Sequence, residues 1–254
     1  MVEMDRNDLD NENVLGDIAK NDKDFQARLE AVEMISNMDI LADIAMNATD
    51  SKIVSKAIEK INDESFLIGI VKNGKGPFRN EAAQKINDQS VLIEIAKNDE
   101  DFLVRATSAQ KIGDESVLID IAKNDENSYV RRAAAQKISD ESVLIDIAMN
   151  DKDAYVRRAA TQKISDESVL IDIAMNDEDT YVRRAATQKI SDKSVLDDIT
   201  LNEKRLTKVI CEKCGSENMT VKSHKAPNPG YSYCAWSIID YVCNDCGNII
   251  SKPL

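Results

Sequence analysis

Between residues 10 and 190 the apolar positions follow two short helical patterns that alternate along the chain and are separated by polar turns. Within each pattern the apolar residues are three and four places apart, which is the spacing of one helix face. In residues 165–190 they are Val169, Leu170, Ile173 and Ala174 in the first pattern, and Val182, Ala185, Ala186 and Ile190 in the second. Helices this short are unstable alone in water, so we expect them to bury these faces against neighbouring copies.

The two patterns together form one repeat, which closes on an isoleucine and has the same length throughout except for one copy that is a single residue shorter. A partial repeat begins at residue 191, after seven full ones: 10–35, 36–61, 62–86, 87–112, 113–138, 139–164 and 165–190. The last two full repeats differ at only two positions, which indicates duplication.

Polar residues at fixed places predict where these helices begin and end. Ser165 and Asp166 precede the first pattern of the last full repeat, and Asp177 and Asp179 precede the second, as N-capping residues do. An asparagine ends the first pattern, where we expect a C-cap in the left-handed conformation. These asparagines are Asn21, Asn47, Asn73, Asn98, Asn124, Asn150, Asn176 and Asn202.

The segment "VLIDIAMNDEDTYVRRAA" (169–186) carries the L-x-x-I-A, N-D-x-D and V-R-x-x-A elements, in that order. In these elements residues 10–202 resemble the HEAT-like repeat families, including the short leucine-rich-repeat variant. The resemblance implies an all-α, right-handed α-solenoid of short two-helix repeats. It also implies that such a domain mostly binds proteins, while some relatives handle DNA and some act on bilin chromophores.

Repeat 62–86 departs from the pattern, because its turn, "NGKGPF" (73–78), is one residue short and holds two glycines and a proline. We interpret this turn as a local change in the superhelical twist. A phosphate-binding loop is disfavoured, since a lone G-x-G is a weak motif and no strand precedes it.

An arginine stands seven places before the closing isoleucine in six repeats: Arg28, Arg79, Arg105, Arg131, Arg157 and Arg183. An acidic residue follows each one, fifteen places further on: Asp43, Glu94, Asp120, Asp146, Asp172 and Asp198. Repeat 36–61 has Val54 in place of the arginine, and the corresponding partner position is Gly69. We therefore hypothesise a ladder of ion pairs between neighbouring repeats, which sets their register more than it adds stability.

The next position carries arginine only in repeats 113–190, where a tyrosine stands three places earlier. The six residues are Tyr129, Arg132, Tyr155, Arg158, Tyr181 and Arg184, and they form what we call the Tyr–Arg stripe. Helical spacing places the arginines opposite the buried face, so they are candidates for binding an acidic peptide or phosphates. The alternative is a charged outer face shared by near-copies. Lys137, Lys163 and Lys189 lie closer to the apolar face and are expected to snorkel to water.

The cysteines predict a metal site. "CEKCGS" (211–216) and "VCNDCGN" (242–248) give two C-x2-C pairs with one strand-like segment between them, which is typical of tetrahedral zinc held by four thiolates. The expected ligands are Cys211, Cys214, Cys243 and Cys246, and iron is the alternative metal. The pattern looks like a rubredoxin-knuckle zinc ribbon, a small β domain over residues 203–254 with strands between the cysteine pairs. With no open coordination position in the pattern, the zinc is expected to be structural.

Cys234 and His224, the only histidine, lie between the cysteine pairs. Two ligands are too few for a second metal site. A core thiol and a surface imidazole are the simpler interpretation.

Charge and composition bound the remaining possibilities. The chain has 254 residues with a formal net charge of −13, which disfavours nucleic acid unless a local basic patch exists. Residues 1–202 carry a balance of −15 and residues 203–254 one of +2, which supports the domain boundary. The acidic N-terminus is unlike a signal peptide, and no apolar run is long enough to span a membrane, so we expect a cytoplasmic protein.

No set of residues in the sequence assembles into a nucleophile with its base, so we expect no enzyme. The favoured function is a protein-interaction scaffold that uses the Tyr–Arg stripe, with the zinc ribbon as a second contact module. The alternative is a nucleic-acid-associated factor that uses the ribbon and the arginines, and a bilin-lyase-like activity is a more remote one.

Overall fold

A computed structural model describes residues 6–206, 219–225, 238–243 and 249–253, with side chains from residue 11 to residue 200 and at Ile249. These residues form fifteen α-helices and three β-strands. The chain divides into two compact units, Met1–Lys189 and Ile190–Leu254. No helix of the described residues is both long and apolar enough to cross a membrane.

The first unit is a regular two-helix repeat of the solenoid type, as the sequence pattern predicts. The first helices of successive repeats are α1 (Arg6–Asn21), α3 (Met38–Asn47), α5 (Glu64–Asn73), α7 (Gln89–Asn98), α9 (Glu115–Asn124), α11 (Glu141–Asn150) and α13 (Glu167–Asn176). The second helices are α2 (Phe25–Met34), α4 (Ser51–Lys60), α6 (Pro77–Lys85), α8 (Phe102–Lys111), α10 (Ser128–Ala135), α12 (Ala154–Thr161) and α14 (Thr180–Thr187). Each helix packs on its neighbours along the chain.

The core is the stack of the predicted apolar faces. The closing isoleucines from Ile35 to Ile164 are fully buried, and so are the alanines that let second helices approach closely, such as Ala160. In the last full repeat Leu170, Ile173 and Ala174 are buried as expected, whereas Val169 is partly exposed. Because the helices of this unit that follow α1 span only two to three turns each, this shared core provides the stability that they lack alone.

The predicted N-caps are confirmed at Asp166 and Asp179, while Asp177, the other candidate, is the C-cap of α13. The carboxylate of Asp166 accepts hydrogen bonds from the backbone N–H groups of Ser168 and Val169, at 2.9 and 3.3 Å. The hydroxyl of Ser168 donates to the same oxygen at 2.6 Å. Asp179 caps the second helix through the backbone N–H groups of Tyr181 and Val182. These contacts satisfy donors that would otherwise have no partner at the helix start.

The predicted left-handed C-caps are wrong. Asn176 is the last helical residue, and the C-cap is Asp177, which has an extended backbone with φ −61° and ψ 138°. The amide of Asn176 instead donates to the carboxylate of Asp172 one turn earlier, at 2.7 Å. The same contact joins Asn47, Asn124 and Asn150 to the acid four places before each. The asparagine therefore closes the helix through its side chain.

Polar side chains also join successive repeats. The carboxylate of Glu141 accepts from the backbone N–H groups of Ser165 and Asp166, at 2.5 and 3.0 Å. The ammonium of Lys163 donates to the backbone carbonyls of Gln136, at 2.8 Å, and Ile138. Lys163 therefore does not simply snorkel to water: its charge lies at the C-terminal end of the preceding second helix.

The shortened turn of repeat 62–86 coincides with a change in packing. Gly76, the N-cap of α6, has φ 53° and is followed by Pro77 at the first helical position. From α6 to α14 successive second helices pack closely, whereas from α7 to α13 successive first helices touch only sparsely. The second helices of these repeats therefore pack more closely on one another than the first helices do.

In the second unit, helix α15 (Lys193–Leu206) continues through Asn202, so this asparagine does not end a helix as predicted. Strands β1 (Met219–Lys225), β2 (Ile238–Cys243) and β3 (Ile249–Pro253) form an antiparallel sheet in the order β1-β2-β3. Strand β2 contains Ile238, Ile239 and Tyr241 of the stretch expected to form strands, and the rest of that stretch lies outside the described residues.

Candidate functional site

The first arginine of each Arg-Arg pair is a buried structural group. Arg131 is 3% exposed, and its guanidinium forms two parallel hydrogen bonds with the carboxylate of Asp151 in the next repeat, both at 2.8 Å. Its Nη1 also donates to the backbone carbonyl of Asp125 at 3.0 Å. The paired carboxylate raises the pKa of Arg131 above its usual value, so the charge is permanent.

These contacts form a continuous Arg–Asp ladder, because each aspartate also offers its carbonyl to the arginine of its own repeat. The pairs are Arg79–Asp99, Arg105–Asp125, Arg131–Asp151 and Arg157–Asp177. Arg28 pairs with the N-capping Asp50 instead, at 2.8 Å. Arg183 donates to the carbonyls of Asp177 and Glu178, and the structure describes no carboxylate pair for it.

The hypothesis of an inter-repeat ladder is therefore correct in kind, but the proposed partners are wrong. The acid fifteen places after the arginine lies within the next first helix, whereas the arginine bonds to the aspartate twenty places on, just past the end of that helix. Asp43, Glu94, Asp120 and Asp146 pair instead with lysines.

These lysines form a second row of ion pairs that sequence reasoning missed. A lysine in the last turn of one first helix reaches an acid in the middle of the next. The pairs, which we call the Lys–acid row, are Lys20–Asp43 at 2.6 Å, Lys72–Glu94 at 3.6 Å, Lys97–Asp120 at 2.8 Å and Lys123–Asp146 at 2.7 Å. The bond from Lys123 lowers the pKa of Asp146. The lysine and the acid recur at matching places of successive repeats, and this was the available signal.

The second arginine of each pair is different, as predicted. Arg158 and Arg184 are exposed and Arg132 is partly exposed, and none of the three has an ion-pair partner among the described side chains. The guanidinium of Arg132 lies over the ring of Tyr129, with 5.1 Å from Cζ to the ring centroid. The tyrosines Tyr129, Tyr155 and Tyr181 are 48%, 66% and 65% exposed.

These tyrosines recur at the same place in three successive repeats, so their exposed rings form one row. The row extends one repeat further through Leu103, at the position equivalent to Tyr129, which is 48% exposed. All four residues belong to second helices, so the stripe lies on the more closely packed row.

The two helix rows carry opposite charge in repeats 113–190. Helices α10, α12 and α14 contain two arginines each and no acidic residue. Helices α9, α11 and α13 contain two acidic residues each, with one lysine in α9. Because the ladder neutralises Arg131 and Arg157, the unpaired positive charge of their two helices comes from Arg132 and Arg158 of the stripe. The exposed arginines of the stripe are a local source of positive charge on a chain whose formal net charge is −13.

The predicted zinc ligands fall largely outside the described residues. Cys211, Cys214 and Cys246 lie outside them, and of Cys243 only its place as the last residue of β2 is described. Cys234 also lies outside, and His224 is paired with Ile239 in the β1–β2 ladder. Zinc at this site stays a prediction from the cysteine spacing.

No protein-family model matches the chain, and no curated protein shows significant sequence similarity to it. The class of the first unit is therefore defined by its own architecture, a repeat of paired short helices of the solenoid type. The likeness to HEAT-like families rests on the repeat elements quoted above.

Proposed function

We propose that the protein is a non-catalytic interaction scaffold whose second-helix row binds an acidic, extended segment of a partner protein. The observation that carries this proposal is the difference in burial and pairing between the two arginines of an Arg-Arg pair. Arg131 and Arg157 are buried and paired, while the adjacent Arg132 and Arg158 are free beside exposed tyrosines. Only the first arginine of these two pairs has contacts that join neighbouring repeats.

The chemistry of the stripe suits a peptide ligand. Tyrosine provides a large contact area with little loss of side-chain entropy, and a guanidinium binds a carboxylate through two parallel hydrogen bonds. Arginine and tyrosine are also the side chains that most often dominate binding energy at interfaces. One Tyr–Arg pair per repeat favours a ligand with acidic groups at regular intervals along an extended chain.

The predicted zinc ribbon of residues 203–254 is the second contact module in this proposal. Four thiolates in two C-x2-C pairs leave no coordination position open, so the metal would hold the domain's fold rather than act on a substrate. The positive balance of this segment, +2, complements the same kind of acidic partner.

The test is affinity capture with the full chain, scored for both protein and nucleic acid. The Arg132→Ala, Arg158→Ala, Arg184→Ala variant should lose the partner. The matched Arg→Lys variant should keep part of the binding, because lysine retains the positive charge but lacks the planar guanidinium that forms two parallel hydrogen bonds. Leu103→Tyr with Ala106→Arg introduces a fourth Tyr–Arg pair, in repeat 87–112, and should strengthen binding.

Retention of every partner by the triple alanine variant would refute the proposed site. Nuclease treatment and the slope of the salt dependence together separate the two classes of ligand. Binding to nucleic acid weakens log-linearly with salt concentration and is lost on nuclease treatment, whereas binding of an acidic peptide through the arginines is also weakened by salt but survives nuclease. Capture of nucleic acid with a steep slope would favour the alternative, a nucleic-acid-associated factor.

A further inference from the structure

The Lys–acid row is interrupted at two of its places in the first unit, and the two interruptions differ. Between α3 and α5 the lysine is replaced by Met46 and the acid by Gly69, so both charges are absent. Between α11 and α13 the lysine is replaced by Met149, but the acid, Asp172, is retained. Asp172 accepts a hydrogen bond from Asn176 and has no ion-pair partner among the described side chains.

A cleft of about 350 Å³ lies at this second interruption, on the first-helix side of repeats 139–190. Its apolar wall is formed by Ala148, Met149 and Ile173, and Met149 is 46% exposed. Of its other carboxylates, Asp151 and Asp177 belong to the Arg–Asp ladder and Glu178 bonds to Arg157 at 3.2 Å. Asp172 is therefore the carboxylate in this cleft that lacks a cation.

Neighbouring gaps show which group fits here. In the preceding gap the ammonium of Lys123 lies 2.7 Å from Asp146, and in the one before it Lys97 lies 2.8 Å from Asp120. Each lysine belongs to the last turn of its helix, and alignment of the repeats places Met149 and Asp172 at the equivalent positions. The two preceding gaps therefore show how a lysine side chain would pair with Asp172.

We propose that this cleft binds a lysine side chain presented by a partner protein. We call the cleft the open rung, because it is the place in the Lys–acid row where the acid is present and the lysine is missing. The ammonium pairs with Asp172, and the methylene groups lie on Met149 and Ile173, since a long cationic side chain covers apolar surface with its stem. The volume lies in the range of protein ligand sites. Lys152 lines the same cleft, and no ion pair joins it to Asp172.

This inference is independent of the proposed function, because the open rung lies on the first-helix row and the Tyr–Arg stripe on the second. The two surfaces also differ in sign. A segment that binds at the open rung is basic, whereas the stripe binds an acidic one.

The experiment uses the full chain with 13C-labelled isoleucine methyl groups and follows the δ1 methyl of Ile173 by NMR. The probes are acetyl-Gly-Lys-Gly-amide and the matched peptide in which norleucine replaces lysine. The lysine peptide should shift the signal saturably, and the norleucine peptide should not. Asp172→Asn should weaken binding about threefold or more. Met149→Lys should abolish it, because the new lysine pairs with Asp172 and occupies the cleft. Met46→Lys, an equivalent change in the gap without an acid, should leave binding unaltered.

A gain-of-function variant completes the test. Lys123→Met reopens the rung at Asp146, so a second saturable site should appear, reported by the methyl group of Ile147. Equal binding of the norleucine peptide, or unchanged binding by Met149→Lys, overturns the proposal. It is also overturned if spermidine alone binds as tightly as the lysine peptide, since the cleft is then a site for free cations. The methyl spectra show in each case whether the variant is folded.

Discussion

Arg131 and Asp151 form a two-pronged ion pair between neighbouring repeats, and their side chains are only 3% and 8% exposed. The same arginine donates to the carbonyl of Asp125, whose carboxylate pairs with Arg105. The backbone N–H of Asp153 also donates to the carboxylate of Asp151, at 2.8 Å. One buried charge therefore fixes the turn of its own repeat and the turn of the next, which sets the stacking register.

Removal of Arg131 should be far more costly than removal of its neighbour. We expect Arg131→Ala to lower the free energy of unfolding by about 3 kcal/mol, because it leaves the carboxylate of Asp151 buried without a cation. Arg132→Ala, the same change at an adjacent and more exposed position, should stay within about 0.5 kcal/mol. Urea denaturation of both variants measures the difference, and equal losses would contradict a structural role specific to the first arginine.

A double-mutant cycle identifies the partner. Alanine substitutions at Arg131 and Asp151 should show a coupling energy of about 1 kcal/mol or more, whereas those at Arg131 and Asp146 should be additive within about 0.5 kcal/mol. The Asp146 cycle is the matched control, because Asp146 bonds to Lys123 rather than to the arginine. Coupling of Arg131 to Asp146 alone would restore the partner deduced from sequence spacing.

Sequence spacing found the ladder but not its partner, for a reason inherent in repeats. Acids recur both fifteen and twenty places after the arginine, so most copies offer two candidates. The interruption at Val54 does not separate them, because both candidate positions, Gly69 and Gly74, lack a carboxylate. Which of the two acids pairs with the arginine depends on the angle at which each helix approaches the turn. That angle cannot be read from the order of residues.

The fold itself was predictable because burial repeats with the sequence. Leu170, Ile173 and Ala174 share a face in the sequence and are buried together. The role of Asn176 was missed although its signal was present: Asp172 lies four places earlier, and such a pair shares a helix face. Asparagine occurs both in left-handed C-caps and in such side-chain contacts, so its place at the helix end does not by itself distinguish them.

The glycines of repeat 62–86 should respond oppositely to alanine. At Gly76 the backbone has φ 53°, which strains any residue with a Cβ, so Gly76→Ala should destabilise the protein by about 1 kcal/mol. Gly69 lies inside α5 with no atom within 4 Å of an added Cβ, so Gly69→Ala should stabilise it by up to about 1 kcal/mol. The urea midpoints of the two variants should therefore move in opposite directions. A stabilising Gly76→Ala would show that this turn does not need glycine.

Acid should destabilise the protein through its helix caps. A serine hydroxyl, followed by backbone N–H groups, lowers the pKa of Asp140 and Asp166 below the ordinary 3.8. A carboxyl whose pKa is lower in the folded state stabilises the fold fully well above its ordinary pKa, and this contribution is lost as the pH falls through the folded value. Urea midpoints should therefore be nearly constant above about pH 5 and decline below about pH 4.

The serines provide the matched variants for this pH dependence. Ser142→Ala with Ser168→Ala removes the hydroxyl donors to Asp140 and Asp166 and keeps the backbone ones. The decline in acid should become shallower in this variant, because the pKa difference between folded and unfolded states is smaller. An unchanged slope would show that other carboxylates determine the acid response.

The predicted metal site can be tested through the only tryptophan. Trp236 lies between the two cysteine pairs, so its fluorescence reports on residues 203–254, while far-ultraviolet circular dichroism reports on the helices. Elemental analysis should find one zinc per chain. In comparable small zinc domains the metal contributes on the order of 10 kcal/mol of folding energy. Chelation, or Cys211→Ser with Cys243→Ser, should therefore change the tryptophan signal and leave the helical signal almost intact.

The chelation result also decides whether the two predicted domains are independent. The helices of residues 6–189 are held by their own apolar stack, by the Arg–Asp ladder and by the Lys–acid row, none of which involves a cysteine. Their urea midpoint should therefore be the same with and without metal. Loss of helical signal at the chelator concentration that alters Trp236 would mean that the ribbon supports the repeats. Iron in place of zinc would leave both expectations unchanged, because either metal is held by the same four thiolates.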